Sequence, residues 1–418
     1  MAALLNVDDA LNQILATIQP LPDETVGLAD ALGRIIAQDV IADSNLPPFS
    51  NSSMDGFALR AADIANANQQ NPVALHVVID IPAGSSPTGQ IVSGEAARIM
   101  TGAPLPQGAD AIIPVEDTDA EWKPGGNEAL AESVSVKKSV KMGDYVRLAG
   151  EDIRSGERII QSGTLLRPAE IGLLAAVGQH QVKVIRQPRV VILSTGDELI
   201  GIDEALKPGK IRDSNSYALA ALVKVTGGIP IRIPTAHDTL EDVRQRFKEA
   251  LAQKPDLILS SAGVSVGAFD VVRTIIDELG KVDFWRINLR PGKPLAFGQV
   301  GGVPFFGLPG NPVSAMVTYE VFVRPTLLKL GQRADHVATI DATVSEDLHS
   351  DGRRSYIRVK LKREPTGWTA RTTGTQSSGA LSSMMLADGL MIIPEDVTFL
   401  PAGSKLSVRL LRDLHELD

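Results

Sequence analysis

The spacing of apolar positions changes several times along the chain, and the changes divide it. Residues 7–19 set Leu11, Ile14, Leu15 and Ile18 on one side at helical spacing, with Asp8 as the expected cap. A second helical piece is expected at roughly 27–38. The run Pro47-Pro48-Phe49-Ser50-Asn51-Ser52-Ser53 breaks that pattern. From there to about residue 145 the period is two. Val73 to Ile81 alternates, and turns recur at Pro82-Ala83-Gly84, Gly102-Ala103-Pro104 and Pro124-Gly125-Gly126. Helical spacing returns at 167–177. The pattern predicts a discontinuous helical first domain, 1–44 and 147–185, interrupted by a β-rich module, 45–146.

Residues 186–330 alternate strand and helix. Strands are expected at 189–194, 230–234, 256–260 and 281–287, with Leu295 to Val300 and Val303 to Phe306 paired around Gly301-Gly302. Helices are expected at 214–225, 240–252 and 271–279, the second opened by a capping box from Thr239 to Asp242. This alternation predicts a mostly parallel sheet with helices on both faces, which takes its ligands at the carboxyl ends of the strands. From about 332 the helical patterns stop, and short strands fill 331–418 as a small β-barrel or sandwich. The fold class is therefore multidomain α/β plus β.

Composition narrows the functions. The 418 residues suit two to four domains. A net charge of −9 argues against nucleic acid and anionic membranes, whose recognition needs dense Lys and Arg. Cysteine is absent, which removes disulfides, thiolate ligands and cysteine nucleophiles. The first residues carry no basic leader and no apolar run is long enough to span a bilayer, so a cytoplasmic protein is expected.

The candidate chemistry centres on Asp256 to Asp270, DLILSSAGVSVGAFD, read as a strand, a small-residue turn and a helix start. Gly263-Val264-Ser265-Val266-Gly267 inside it fits a hydrolase nucleophile elbow. The histidines after Ser265 are His336, His349 and His415, all in or near the C-terminal β module, and the next helix begins only near Asp270. Both facts disfavour a serine triad. There is no H-E-x-x-H, no Walker A and no G-x-G-x-x-G motif.

Carboxylates beside small turns are frequent instead. Glu198 lies in Ser194-Thr195-Gly196-Asp197-Glu198, and Asp213, Asp238 and Asp270 stand at strand ends or helix starts. Asp55 and Asp152 occupy similar turns in the N-terminal half. Singly, an acid at a helix start is a cap worth about 1 kcal/mol. Together, acids at the ends of successive strands converge on one crevice, and oxygen ligands without His or Cys suit Mg²⁺. Arg286, Arg290 and Lys293 gather positive charge, with Arg286, Asn288 and Arg290 on one strand face. Leu308-Pro309-Gly310-Asn311-Pro312-Val313-Ser314 then opens a helix, with Asn311 as cap and Pro312 as first helical residue. Pro309-Gly310 adds a turn that lets backbone approach a ligand.

These segments resemble the molybdopterin molybdenumtransferase family, MoeA in bacteria and the E domain of gephyrin in animals. The matching stretches are Asn51 to Ala58, Arg98 to Pro104, Gly150 to Ile153, Ser194 to Leu199, Gly263 to Gly267, Arg290 to Pro294 and Leu308 to Ser314, in the family's order. The chain departs from the family in carrying Arg286 and Arg290 where lysine is frequent and Ala262 where a second glycine is frequent. The resemblance implies a four-domain fold, an elongated homodimer, and joining of molybdate to adenylated molybdopterin with release of AMP. It implies functional positions at Asp55, Thr101, Arg147, Asp152, Glu198, Asp238, Asp270, Pro309, Pro312 and Ser378. Glu198 and Asp270 would hold Mg²⁺ against the phosphoanhydride. Ser194, Thr195, Gly196, Asp213, Ser265, Arg286, Lys293, Gly310 and Asn311 are expected to line the substrate cleft, with Arg290, Ser314 and Arg358 as donors to molybdate. The cleft would be completed by the β module of the partner subunit, and the enzyme that adenylates molybdopterin is a further candidate partner. Molybdopterin adenylyl transfer and a pathway scaffold remain as alternatives.

Overall fold

The computed structural model describes residues 4–121, 129–261, 269–413 and 415, apart from the side chains of Phe269, Asp270 and Phe284. It divides into two compact units: Met1–Thr25, Gly33–Ala37 and Lys183–Asp418 form one, and Val26–Leu32 with Gln38–Val182 the other.

The first unit holds a six-stranded sheet in the order Ile229–Arg232, Arg189–Ser194, Leu257–Ser261, Val303–Leu308, Pro294–Val300, Gly280–Arg286. The first four strands run parallel; Pro294–Val300 joins Val303–Leu308 antiparallel around Gly301-Gly302, and Gly280–Arg286 pairs antiparallel with Pro294–Val300. Arg189–Ser194 lies inside the sheet and its apolar residues are buried on both faces, which is why it reads as a continuous apolar run. Val190 and Ile192 face one core with the helices Val7–Thr17, Asn215–Val225 and the one beginning at Pro312. Val191 and Leu193 face a second core with Leu240–Ala252, through Val243 and Phe247, and Phe269–Leu279, through Val272 and Ile275.

The helix beginning at Pro312 runs to Leu330 with a five-residue π turn at Tyr319–Val323. Pro325 has no N–H for an i−4 carbonyl, so the hydrogen-bond pattern shifts just ahead of it. The C-terminal strands Thr339–Val344, Arg354–Glu364, Gly367–Thr372, Gly389–Ile393 and Lys405–Leu410 close into a five-stranded barrel. Closure leaves none of them as a free edge. The other unit is built on a five-stranded sheet, Ala111–Pro114, Gly56–Leu59, Glu95–Ile99, Val73–Ile81 and Ser133–Val136, with the helix Pro168–Ala176.

Several local expectations fail for physical reasons. The cap of the first helix is Asn6, whose Oδ1 accepts from Asp8 N at 2.8 Å, whereas the Asp8 carboxylate pairs with Arg354 at 2.6 Å. The helix expected at 27–38 is only a 3₁₀ turn, Leu28–Asp30. Gly33 then takes a φ of +73°, and Ile36 bridges to Val184 instead. Helix also persists past 332, as the short Leu381–Leu386. The face shared by Arg286, Asn288 and Arg290 is not one strand: Arg286 ends the α/β sheet strand, and Leu289–Arg290 pairs with the barrel at Arg354 and Ser355. Among the described residues no helix is long and apolar enough to cross a membrane.

Phe247 is fully buried, its ring 5.9 Å from that of Phe305. Phe247→Ala is expected to cost the α/β unit about 3–5 kcal/mol. In calorimetry its transition should move down while that of the β-rich unit stays, and a common shift of both would contradict two separate compact units.

Candidate active site

A cleft of about 580 Å³ opens where the parallel strands end. Its walls are Thr195, Gly196, Glu198 and Leu199 of one turn, the stretch Ile211 to Asn215, Ser261 at the end of its strand, Pro294, and Pro309 to Pro312 with Ser314. The strand register delivers these groups together, since Ser194 lies opposite Ser261 and Ser261 opposite Leu308. Gly196 has a φ of +147°, and a Cβ there would sit 2.5 Å from Glu198 Oε2. Only glycine lets that exposed carboxylate fold back over the turn.

Asp238 stands outside the helix it precedes. Thr239 is the cap, its Oγ1 accepting from Asp242 N, and the Asp242 carboxylate accepts from His237 N at 2.7 Å. Asp238 instead exchanges hydrogen bonds with Asp197: Asp238 N donates to Asp197 Oδ1 at 3.2 Å, and Asp197 N to Asp238 Oδ2 at 3.4 Å. The Asp238 N–H, and then His237, hold the Asp197 carboxyl below the usual range. The other oxygen of Asp238, Oδ1, is buried with no hydrogen-bond partner, as are Ser194 Oγ and Thr195 Oγ1. Asp213 behaves as a local capping acid, accepting from Ser216 N at 3.0 Å at the start of Asn215–Val225.

Asn311 precedes Pro312 but makes no side-chain cap bond. Its Nδ2 donates to Ser378 Oγ at 3.0 Å, and the Ser378 carbonyl accepts from Val313 N at 3.0 Å. A loop of the C-terminal barrel thus serves the start of this helix. Arg358 anchors that loop. It is 1% exposed, with Nε donating to Ser383 Oγ at 2.9 Å and Nη2 to the carbonyls of Thr375 and Ser377. Burial, and then the charge of Arg290, push its pKa down, and no described carboxylate pairs with it. Arg290 lies 3.8 Å from Asp351, Arg286 is exposed opposite Pro294 of the cleft, and the Lys293 carbonyl accepts from Ile287 N.

The second unit brings together another predicted pair. Thr101 N and Thr101 Oγ1 both donate to Asp55 Oδ1 at 2.7 Å, across 46 positions of sequence. Gly56 is required beside them, because a Cβ there would meet the Ile113 carbonyl oxygen at 1.9 Å. Arg147 lies opposite Asn51 on the strand paired to this turn, and Asp152 N donates to the Leu46 carbonyl.

Ser265, with Gly263 to Gly267, lies outside the described residues, as does the side chain of Asp270, whose backbone belongs to Phe269–Leu279. Among the described residues no three His, Cys, Asp or Glu side chains converge to hold a metal. Asn215 and Ser261 were passed over in the sequence, since an Asn at a helix start and a Ser at a strand end look like ordinary element boundaries.

Three family models match along the chain: the MoeA N-terminal region (domain I and II) at residues 5–178, a probable molybdopterin binding domain at 191–329, and the MoeA C-terminal region (domain IV) at 341–411. A molybdopterin molybdenumtransferase 2 of Mycobacterium tuberculosis is 39% identical over 397 residues, 92% of this chain and 94% of that protein. A molybdopterin molybdenumtransferase of Nostoc is 38% identical over 415 residues, 96% of this chain and 93% of the relative. The solved structure of a molybdopterin biosynthesis MoeA protein from Pyrococcus horikoshii superposes with a TM-score of 0.80 at 33% identity, covering 98% of this chain and all of the other. The chain belongs to the molybdopterin molybdenumtransferase (MoeA) family.

Proposed function

We propose that this chain is a transferase that inserts molybdenum from molybdate into molybdopterin presented as its adenylate, releasing AMP. The observation that carries the reading is the set of buried oxygens without partners, Asp238 Oδ1, Ser194 Oγ and Thr195 Oγ1, beside a cleft at the carboxyl ends of parallel strands. Each unpartnered buried polar group costs about 1–3 kcal/mol, so a fold that keeps several in one place keeps them for a ligand.

The residues divide the work by charge. Glu198, folded over Gly196, puts a carboxylate on the cleft wall, and Asp238, tied to Asp197 of the same turn, keeps a second carboxylate next to it. The exposed Glu198 carboxylate on that wall fits a hard cation, and Glu198 would hold Mg²⁺ with Asp270, whose side chain lies outside the described residues, as the expected second ligand. When bound, that cation supplies neutralising charge to the phosphoanhydride. The backbone from Pro309 to Ser314 brings a helix start to the cleft, and with Pro312 lacking an N–H and Val313 N given to the Ser378 carbonyl, the Ser314 N–H is, among the described residues, the first-turn donor left for a phosphate oxygen. Arg290 and Lys293, with Ser314, supply donors to molybdate, and Arg358 adds positive potential at the loop that carries Ser378. Arg358 contributes through its buried charge, which has no described carboxylate partner, and through the loop it anchors. The reaction is redox-neutral: the P–O bond to AMP breaks with water, and Mo–S bonds replace Mo–O bonds while molybdenum stays hexavalent.

Asp55 and Thr101 form a preset carboxylate–hydroxyl pair on the other unit. We assign this pair to the cleft of a second subunit, so that the working enzyme is a homodimer with two shared sites. A net charge of −9 fits a cytoplasmic enzyme that acts on a small anion rather than on nucleic acid.

The test supplies purified protein with adenylated molybdopterin, Mg²⁺ and molybdate. AMP release that depends on molybdate, with recoverable active cofactor, is expected; release that ignores molybdate would leave a hydrolase or adenylyl-transfer reading instead. Asp238→Asn removes charge at a position where Thr239 does the capping. It should lower kcat at least about 100-fold with an unchanged melting temperature, and equal loss of stability would assign Asp238 to the fold. Mixing Asp55→Ala chains with Asp238→Ala chains tests the shared cleft. Random pairing makes half of the dimers mixed, each with one intact site of two, so about a quarter of wild-type activity should return. No recovery in a mixture proven to exchange subunits would place each cleft within one chain.

A further inference from the structure

Asn215 and Ser261 face each other across the floor of the cleft. Asn215 Nδ2 donates to Ser261 Oγ at 2.8 Å and to the Gly310 carbonyl at 2.7 Å. The Gly310 carbonyl can only accept, so the amino end of the amide must point to it and the flip of the side chain is decided by chemistry. Both amide hydrogens are then committed to two walls. Oδ1 is left as a pure acceptor, and no described residue donates to it.

Ser261 is oriented in the complementary sense. Its Oγ accepts the hydrogen bond from Asn215, so its own proton is free to donate, and no described acceptor takes it. Ser261 is 2% exposed, at the end of a fully buried strand, where water is a poor substitute partner. The cleft floor therefore presents an acceptor and a donor side by side, held by the start of Asn215–Val225, the end of Leu257–Ser261 and the turn at Gly310.

We propose that Asn215 and Ser261 read a lactam: a ring N–H donates to Asn215 Oδ1, and the adjacent C=O accepts from the Ser261 hydroxyl. The 4-oxo, N3–H edge of a pterin carries those two groups in that order. The assignment rests on the reading of the cleft as the molybdopterin site, and adds which edge of the ring is recognised and by which residues. The discrimination falls mainly on Asn215. A serine hydroxyl can rotate to accept, but an amide pinned at its amino end cannot turn its oxygen into a donor. A 2,4-diaminopteridine, whose N3 has no hydrogen, sets a lone pair against Oδ1 and leaves it unpaired.

The experiment titrates the full chain with pterin-6-carboxylate and with 2,4-diaminopteridine-6-carboxylate, followed by pteridine fluorescence. The oxo compound should bind at least about tenfold more tightly, the cost of one unpaired buried group. Asn215→Ala should erase the preference. Ser261→Ala, which leaves the Asn215 bond to Gly310 in place, should weaken the oxo compound several-fold at an unchanged melting temperature. Equal binding of the two compounds to wild type overturns the proposal, as does a preference that survives Asn215→Ala. If neither compound binds while adenylated molybdopterin still turns over, the lactam assignment falls and the transferase reading stands. If turnover is absent as well, both fall.

Discussion

The register between Arg189–Ser194 and Leu257–Ser261 is the constraint on which the α/β unit depends. It is locked at the amino ends, where Arg186 makes a two-pronged contact with Asp256 at 2.8 and 2.6 Å. The same carboxylate accepts from Arg189 N at 2.8 Å, and Asp256 N donates back to the Arg189 carbonyl. A slip of one residue would exchange the faces of every side chain in strands buried on both sides. It would also part Ser194 from Ser261 at the far ends, where the cleft lies. The ion pair is remote from the site, yet it sets which groups meet there.

The strands of this unit were legible because a strand buried on both faces must be apolar along its length, and the helices between them because their apolar stripes repeat cleanly. The failures cluster where a local pattern has two outcomes. The stretch 27–38 has helical spacing, but a left-handed Gly33 and pairing to Val184 override it. Acids near helix starts were equally ambiguous. Asp213 is spent on the backbone of its own helix, while Asp238 leaves capping to Thr239 and keeps one oxygen unpaired. No spacing rule separates those two. Asp55 and Thr101 were linked beforehand only through family resemblance, since a contact across 46 positions leaves no periodic trace. The tie between Ser378 and the helix at Pro312 is of the same kind.

Burial changes the meaning of the cations as well. In sequence, Arg286, Arg290 and Lys293 stood out because they are close together. In the structure, the most telling cation is Arg358, which is shut away from solvent without a carboxylate and spends its donors on carbonyls of the loop that carries Ser378. A buried charge held by dipoles alone fixes the loop and keeps the local potential positive. Position and electrostatics are thus supplied by one side chain.

The passage from Arg286 to Arg290 has a consequence for modularity. Within a few residues the chain leaves the edge of one sheet and contributes Leu289–Arg290 to the flank of another. The C-terminal barrel therefore borrows a strand from a segment that precedes it by dozens of residues, and a cut or graft placed between the α/β layers and the barrel would sever a shared hydrogen-bonded seam. Recombination between relatives should keep Lys183–Asp418 as one exchangeable block, because inheritance of that seam is all or none.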